Sequence, residues 1–165
     1  MEDLTTNQKG AIAEAAFTAA AIRLGYFVLR PTPEGRRYDL VLDTGPQLLR
    51  VQCKWARRKG EVIVVNARTS RFSPTAGYIA TRYSASEIDA LGVYCSDLDE
   101  CFLVPIEAFE GSGFLHLRLA PTLNNQRVGC RMASQYRLGA VAQLGERRAG
   151  SAKARGSSPL SSMNV

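Results

Sequence analysis

The pattern of apolar and polar positions predicts one N-terminal helix followed by a series of strands. Residues 6–24 are rich in alanine and contain no proline, which favours a helix. Thr5 and Gln8 fit a Thr-x-x-Gln capping box at its start, and Gly25 fits a left-handed cap at its end. Helical spacing predicts a buried stripe made of Ile12, Ala16, Ala19 and Ala20, widened by Phe17 and Leu24.

Short aliphatic and β-branched runs after the helix predict strands. The first strand is expected at residues 26–30. Two further runs, 38–43 and 47–54, flank Gly45 and Pro46, and a Gly-Pro turn between two such runs is a hairpin signal. These segments predict the beginning of an antiparallel meander.

The rest of the chain continues the strand pattern. Residues 55–60 are basic and predict a turn, and the valine-rich residues 61–66 predict a third hairpin arm before a polar segment. Later strands are expected at 90–95, 100–105 and 114–119, with a single helical turn at 106–109. This order predicts an α/β domain with a mixed central sheet flanked by helices.

Composition divides the chain into a domain and a tail. Residues 1–138 hold the periodic segments and predict one domain with a sizeable core. Residues 139–165 are rich in Gly, Ser, Ala and Arg without an apolar period, which predicts a disordered tail. Residues 141–147 and 155–160 resemble the D-arm and T-arm of a tRNA gene read in one frame, which implies that the reading frame runs into such a gene. A basic arm that grips DNA is the functional alternative.

Charge is distributed unevenly around a formal net charge of +6, which permits a polyanionic partner. Residues 30–82 hold eleven basic and four acidic residues, whereas residues 83–110 hold seven acids and no Lys or Arg. One part of the fold is therefore expected to be positive and another negative. No apolar run is long enough to span a bilayer and no signal-peptide pattern is present, so we expect a soluble, cytoplasmic protein without a membrane partner.

Histidine and cysteine chemistry is poorly supported. The four cysteines form no CxxC pair, and His116 is the only histidine, which argues against a zinc site with histidine spacing. His116 lies in the alternating run 114–119 and is expected on the solvent face of a strand.

The predicted hairpin carries the chemistry that stands out. Asp39 heads the first arm, while Gln52 and Lys54 end the second and point to one side, with Cys53 pointing to the other. Strand pairing can bring Asp39 beside them. An acid, an amide oxygen and an ammonium on one patch can hold a divalent cation against a phosphate. The alternative is that Asp39 caps a turn and that Gln52 and Lys54 form an exposed strand face.

Glu14 on the helix, Asp39 on one strand and Gln52-x-Lys54 on the next resemble the PD-(D/E)XK nuclease superfamily. The nearer resemblance is to group I intron-encoded homing endonucleases, which use a Gln-x-Lys variant, and it covers roughly residues 5 to 138. Tyr38 stands where the superfamily name has proline, and Gln52 replaces an acid. Other similar segments are 6–10, 88–90 with 93–95, 103–105, and 118–121 with 124–126.

The resemblance implies a restriction-endonuclease-like fold and a Mg²⁺-dependent, homing-type endonuclease that hydrolyses double-stranded DNA. A Holliday-junction resolvase is a neighbouring possibility. The alternatives from other classes are a DNA-binding protein that has lost catalysis through Gln52, and an RNA-binding splicing helper, which no aromatic-basic RNA motif supports. One chain offers one active patch and a double-strand cut needs two, so a homo-oligomer, a dimer or tetramer, is expected. Residues 90–95 and 100–105 are candidates for the core or for that interface.

Each candidate residue is expected to act on the cation, on the phosphate or on the attacking water. Asp39, the Gln52 amide oxygen and the Cys53 backbone carbonyl are the expected Mg²⁺ ligands, since Mg²⁺ prefers hard oxygen donors. Lys54 would stabilise the phosphate or activate the attacking water, and Glu14 would hold a water beside the cation. The expected phosphate contacts, each with a solvated loop charge as its alternative, are Arg36, Arg37, Arg57, Arg58, Lys59, Arg68 and Arg71.

Overall fold

The structure is a computed structural model and describes residues 4–33, 35–121 and 130–140. One α-helix and nine strands follow each other in these ranges, with short 3-10 helices at Ile106–Ala108 and Ala133–Gln135. The bounds are α1 Thr6–Arg23, β1 Phe27–Leu29, β2 Leu40–Asp43, β3 Leu48–Lys59, β4 Val62–Asn66, β5 Arg68–Ser73, β6 Gly77–Arg82, β7 Ala90–Cys95, β8 Glu100–Pro105 and β9 Phe114–Arg118. No helix in the described ranges has the length and apolar character needed to cross a membrane.

Seven strands form one mixed sheet, which confirms the predicted α/β class. The strand order β1-β2-β3-β4-β9 runs through antiparallel pairs, and β7 joins β3 in parallel with β8 beyond it. The single long helix in the described ranges, α1, packs on one face of this sheet. The part of the predicted tail from residue 141 onward, the similar segment 124–126 and Glu34 lie outside the described residues.

The long strand β3 is the centre of the sheet and has three partners. Its first residues, 48–51, pair with β2, and its last residues, 56–59, pair with β4. Residues 52–55 between them pair with β7 alone, so β2 and β4 diverge at this point. We call this opening the fork.

The predicted basic turn at residues 55–60 is wrong, because β3 continues through it to Lys59. Arg57, Arg58 and Lys59 are exposed at the end of the strand, where charged side chains carry no burial cost. The chain turns only at Gly60, whose φ of 56° lies in the left-handed region that glycine adopts without strain.

Helix α1 begins with the predicted capping box, in which Thr5 and Gln8 bond reciprocally. Its buried face differs from the predicted stripe. The fully buried residues are Ala13, Phe17 and Ala21, whereas Ala19 and Leu24 are exposed and Ile12, Ala16 and Ala20 are half-buried. Alanines on every side of the helix give little contrast, so the one aromatic residue determines which face is buried.

Phe17 packs against a glycine of the central sheet. A Cβ added at Gly92 in β7 would lie 2.9 Å from the Phe17 ring and 2.9 Å from Val51 Cγ1. The absence of a side chain at Gly92 therefore lets α1 approach the sheet. The predicted strands at 90–95 and 100–105 are observed with these bounds as β7 and β8, and most of their residues are buried in the core.

The polar segment after β4 forms an element that the sequence pattern did not predict. Strands β5 and β6 pair with each other in a two-stranded sheet that is separate from the central one. We call residues 68–82 the ribbon. On β9, His116 is exposed as expected.

Two acidic residues of the predicted negative region form ion pairs with arginines of the predicted positive region. Glu87 binds Arg37, and Asp89 binds Arg50 with two parallel contacts. These pairs arise because the segment before β7 lies beside the start of β3. Part of the positive charge of residues 30–82 is thereby neutralised inside the fold.

Candidate active site

The fork in the sheet brings Asp39 to the side of β3. Asp39 directly precedes β2, and its own amide donates to the Val51 carbonyl at 3.0 Å. Its carboxylate oxygen Oδ2 accepts a hydrogen bond from the Cys53 amide at 2.7 Å and another from Gln52 Nε2. The carboxylate thus occupies the place along β3 where β2 has ended and β4 has not begun.

Three of the predicted site groups converge there. Gln52 Nε2 contacts the Asp39 carboxylate and lies 3.4 Å from the backbone carbonyl oxygen of Cys53. The Cys53 side chain points to the opposite face and is buried in the cluster under α1, as strand alternation predicts. Asp39, Gln52 and the Cys53 carbonyl therefore lie within one small volume.

Burial sets the electrostatics of Asp39. Desolvation raises the pKa of its carboxyl, and the Cys53 amide opposes that effect by bonding to the charged form. The negative charge of Glu14 also raises the pKa, whereas Lys54 and Arg30 lower it. Because desolvation prevails, a further positive charge at this position would stabilise the ionised carboxylate.

Lys54 lies in the same fork and is held by the ribbon. Its Nζ donates to the backbone carbonyl of Arg68 at 3.0 Å and stands 5.3 Å from the centre of the Tyr83 ring. Burial lowers the pKa of Lys54, and the nearby Asp39 carboxylate opposes that shift. The ammonium is consequently less solvated than that of a surface lysine.

Tyr83 is a site residue that sequence reasoning missed. It is buried beneath two cations, with Lys54 Nζ and Arg37 Cζ each 5.3 Å from its ring centre. Burial raises the pKa of its phenol to about 12, against a smaller opposite effect of a hydrogen bond with Thr69. The only signal in the sequence is an aromatic residue directly after Arg82, which by itself indicates no function.

Glu14 reaches the site from α1. Its Oε2 accepts a hydrogen bond from Arg30 Nη1 at 2.9 Å, an ion pair that the sequence pattern did not indicate. Glu14 and Asp39 line the same cleft of about 340 Å³, together with Arg30, Arg36, Tyr38 and residues of the 31–35 loop. The structure therefore places both predicted acids in one cleft without a hydrogen bond between them.

The predicted phosphate contacts differ in exposure and in their partners. Arg36, Arg57 and Lys59 are exposed. Arg37 bonds Glu87 and Thr81, each at 2.9 Å, and Arg58 bonds Glu61 at 2.6 Å. Arg68 is half-buried, and its guanidinium lies 5.2 Å from the centre of the Phe114 ring. Arg71 lies on β5, and its side chain is outside the description.

The donor set in the fork fits a hard divalent cation. No cluster of three His, Cys, Asp or Glu side chains that could hold a metal occurs in the described ranges. The available donors are instead the Asp39 carboxylate, the Gln52 amide and the Cys53 carbonyl, which can all offer oxygen, the element that Mg²⁺ prefers. Burial raises the pKa of the Cys53 thiol, so its sulfur is a poor ligand and the carbonyl is the relevant group.

The site thus combines a mixed sheet with a forked central strand, an acid in the fork and a lysine two residues beyond the amide that contacts the acid. A family model described as PD-(D/E)XK endonuclease matches residues 4–139. The chain belongs to this family, and it is a nuclease of the hydrolase class. The resemblance inferred from Asp39, Gln52 and Lys54 is thereby confirmed at the level of the family.

A solved structure supports the same assignment. The bacterial homing endonuclease I-Ssp6803I is 25% identical in sequence, with a TM-score of 0.65 over 94% of this chain and 100% of that chain. A search of curated proteins found no match. The fold of a homing endonuclease is therefore present over nearly the whole chain.

Proposed function

We propose that this protein is a Mg²⁺-dependent endonuclease of the homing type that hydrolyses phosphodiester bonds in double-stranded DNA. The observation that carries the proposal is the convergence of Asp39, Gln52 and the Cys53 carbonyl in the fork, beside Lys54. The family match supplies the reaction class, and the printed name of I-Ssp6803I supplies the homing type by similarity.

Bound Mg²⁺ would act as a Lewis acid that neutralises negative charge on the phosphate. Asp39, the Gln52 amide oxygen and the Cys53 carbonyl would hold it. The half-buried Asp39 carboxylate is suited to this task because a cation would offset its desolvation. Gln52 now donates its amide nitrogen to Asp39, so it must rotate its amide to offer oxygen.

Lys54 is proposed to act on the phosphate or on the attacking water. Its lowered pKa makes the neutral amine easier to reach than for a solvated lysine, so Lys54 can take a proton from water. In the charged form it stabilises the phosphate oxygens instead. Glu14 is proposed to hold a water at the far side of the shared cleft, where Arg30 fixes its carboxylate.

Exposed basic side chains around the fork are proposed to contact the DNA backbone. Arg36 lines the site cleft, and Arg57 and Lys59 extend from the end of β3. None of these three has an ion pair with a described residue, so they remain available to phosphates. Arg37 and Arg58, which bond Glu87 and Glu61, are assigned mainly to holding the fold.

A second copy of the chain is proposed to bind at the β1 edge of the sheet. Phe27 and Leu48 both pair with Asp43 from either side, so they share one face, and they are 77% and 64% exposed. Leu29, 50% exposed, continues this face along β1. The earlier interface candidates, β7 and β8, are largely buried within the chain and are not used here. Light scattering of a Phe27→Glu, Leu48→Glu variant should show smaller particles than the wild type.

One observation favours catalytic loss as a second candidate. Gln52, which contacts the Asp39 carboxylate, stands where the family motif has an acid, so the proposed ligand set carries one negative charge fewer. A DNA-binding protein of the same fold would keep this arrangement.

Cleavage of supercoiled plasmid separates the two. We expect purified protein to convert a plasmid that carries the tRNA locus expected beside the reading frame to nicked and linear forms in Mg²⁺, but not in EDTA. Binding measured in Ca²⁺ on the same DNA is the control. Binding without cleavage at any Mg²⁺ concentration would support the inactive candidate, and equal cleavage in EDTA would reject a metal-dependent nuclease.

A further inference from the structure

The ribbon differs from every other pair of strands in the described ranges because it lies outside the central sheet. Its strands pair over six residues each, from Arg68 opposite Arg82 to Ser73 opposite Gly77. Six residues at about 3.3 Å each give a length of roughly 20 Å. An isolated two-stranded hairpin has little stability of its own, so a contribution to the stability of the domain does not explain the ribbon.

The ribbon is basic in composition and exposes small side chains near its middle. Residues 68–82 contain three arginines and no acid. Ser70 and Ala80 lie directly opposite each other and are both exposed, and Thr81 is exposed as well. Small and hydroxyl-bearing side chains in the middle of a basic ribbon leave its surface free to approach another polar molecule closely.

The root of the ribbon, where Arg68 pairs with Arg82, is bonded to the candidate active site. Lys54 Nζ donates to the Arg68 carbonyl, and Arg37 Nη2 donates to Thr81 Oγ1 at 2.9 Å. Tyr83, which directly follows the ribbon, lies beneath both cations. The position of the ribbon relative to Lys54 is therefore fixed at the root.

We propose that the ribbon enters the major groove of duplex DNA and reads base edges next to the cleavage site. The major groove admits a two-stranded β-ribbon, and its base edges carry a distinct pattern of donors, acceptors and methyl groups. Ser70 and Ala80 are the central reading positions, and Arg82, which is exposed where the ribbon meets the domain, binds a neighbouring phosphate. This inference rests on the proposed function, because it takes duplex DNA as the substrate of the site beside Lys54.

The fixed root limits which bases the ribbon can read. A ribbon of roughly 20 Å reaches across about six base pairs, at about 3.4 Å for each pair. The base preference due to the ribbon should therefore lie within about six base pairs of the cut, on one side of each scissile phosphate.

A shortened ribbon tests this inference. Replacing residues 70–80 by Asn-Gly joins the paired positions Thr69 and Thr81 through a two-residue turn and removes most of the ribbon, including both reading positions. The probe is a library of DNA duplexes with a randomised region, selected for binding in Ca²⁺ and, in parallel, for cleavage in Mg²⁺. We expect the wild type to prefer particular sequences by at least about a thousandfold, and the shortened variant to lose most of that preference.

A point variant covers the case in which the shortened ribbon disturbs folding. Ser70→Asn should change the preferred base at one or two positions, by roughly ten- to a hundredfold, without altering the salt dependence of binding. His116→Asn, at an exposed strand position of the central sheet, is the matched control and should leave the preference unchanged.

The outcomes distinguish this inference from the proposed function. Sequence preference that survives both ribbon changes overturns the inference, as does a wild type that binds all sequences equally, and cleavage in Mg²⁺ can stand in either case. Ribbon-dependent preference in Ca²⁺ without any cleavage supports the inference and rejects the nuclease proposal. Failure of the wild type to bind any duplex overturns both.

Discussion

Two aspartates bind β3 from the positions just before β2 and β7, and they differ in the charge beside them. Asp39 precedes β2 and accepts the Cys53 amide at 2.7 Å, while Asp89 precedes β7 and accepts the Arg50 amide at 2.7 Å. Asp89 also receives two hydrogen bonds from the Arg50 guanidinium, at 3.0 and 2.7 Å. Asp39 receives a neutral amide from Gln52 instead.

Their pKa values move in opposite directions for that reason. The Arg50 side chain lowers the pKa of Asp89, whereas burial raises the pKa of Asp39. A carboxylate that is paired with a guanidinium has its hydrogen bonds satisfied. Asp89 is of this kind, and it joins the segment before β7 to β3. A half-buried carboxylate without a guanidinium is costly to ionise, and it gains from a cation that arrives from outside. Both carboxylates accept a hydrogen bond from a backbone amide of β3. At Asp89 this contact helps to join strands, whereas at Asp39 it positions a carboxylate in the candidate site.

The largest difference should appear when each aspartate is replaced by asparagine. Asp39→Asn is expected to lower the single-turnover cleavage rate by at least about a thousandfold, because it removes the carboxylate that bonds the Cys53 amide in the fork. Binding in Ca²⁺-free buffer should change little. Asp89→Asn should retain cleavage at a temperature where it is folded. Wild-type cleavage by Asp39→Asn would show that the reaction occurs elsewhere.

Stability should respond in the opposite order. Asp89→Asn is expected to lower the free energy of unfolding by about 1–2 kcal/mol, since charge-assisted hydrogen bonds to a half-exposed arginine are lost. Asp39→Asn should leave the melting temperature equal or higher in EDTA, because its ionised form is desolvated. Thermal unfolding of both variants in the same EDTA buffer measures this. A larger loss for Asp39→Asn would contradict the comparison.

The pH dependence gives the sign of each contribution. Asp89 has a lowered pKa in the folded protein, so its stabilisation is present above the unfolded value of about 3.9 and is lost as pH falls through the folded value. Asp39 has a raised pKa, so its cost is absent below about 3.9 and develops as pH rises. Urea unfolding from pH 7 to below pH 3 should therefore show an Asp89→Asn deficit that is constant above about pH 3.9 and closes as the pH falls further.

Adding a second acid beside Asp39 should increase the difference between the Asp39 and Asp89 sites in cation affinity. We expect this effect to be smaller than those of the two Asp→Asn substitutions. Gln52→Glu replaces the neutral donor with a carboxylate, which increases cation affinity and also the repulsion felt by Asp39. We expect the Mg²⁺ concentration for half-maximal cleavage to fall severalfold, with lower stability in EDTA. An unchanged Mg²⁺ requirement would remove Gln52 from the proposed ligand set.

Removal of residues 141–165 should have the smallest effect. The predicted core residues and all proposed site residues precede this segment, so we expect an unchanged melting temperature within about 2 °C and full cleavage. A modest loss of affinity at low salt would follow from the net positive charge removed. A clear drop in melting temperature would show that the tail packs on the domain.

The sequence predicted most of the sheet because its strands are marked by local signals. Gly45 and Pro46 marked the first hairpin, and the apolar runs at 90–95 and 100–105 gave two strands with the observed bounds. It did not predict the end of β3, because Arg57, Arg58 and Lys59 look like a turn when only polarity is considered. Long-range pairing of these residues with β4 overrides that local preference.

The candidate site was predictable only in part for a similar reason. Asp39, Gln52 and Lys54 are close in sequence, so a hairpin register is enough to bring them together. Tyr83 comes to Lys54 from 29 positions further along the chain, as their numbers show, and Asp89 binds Arg50 from 39 positions away. Such contacts depend on the parallel pairing of β3 with β7, which no local pattern specifies.

The two ends of the ribbon leave the domain side by side, which makes the ribbon a natural point for redesign. Arg68 and Arg82 are directly paired, and the residues just outside them, Ala67 and Tyr83, are buried in the domain. Two residues added to each strand would preserve which side chains share a face and lengthen the hairpin by about 7 Å. The central sheet and α1 would not have to change, so hairpins of different length and sequence could be exchanged on the same domain.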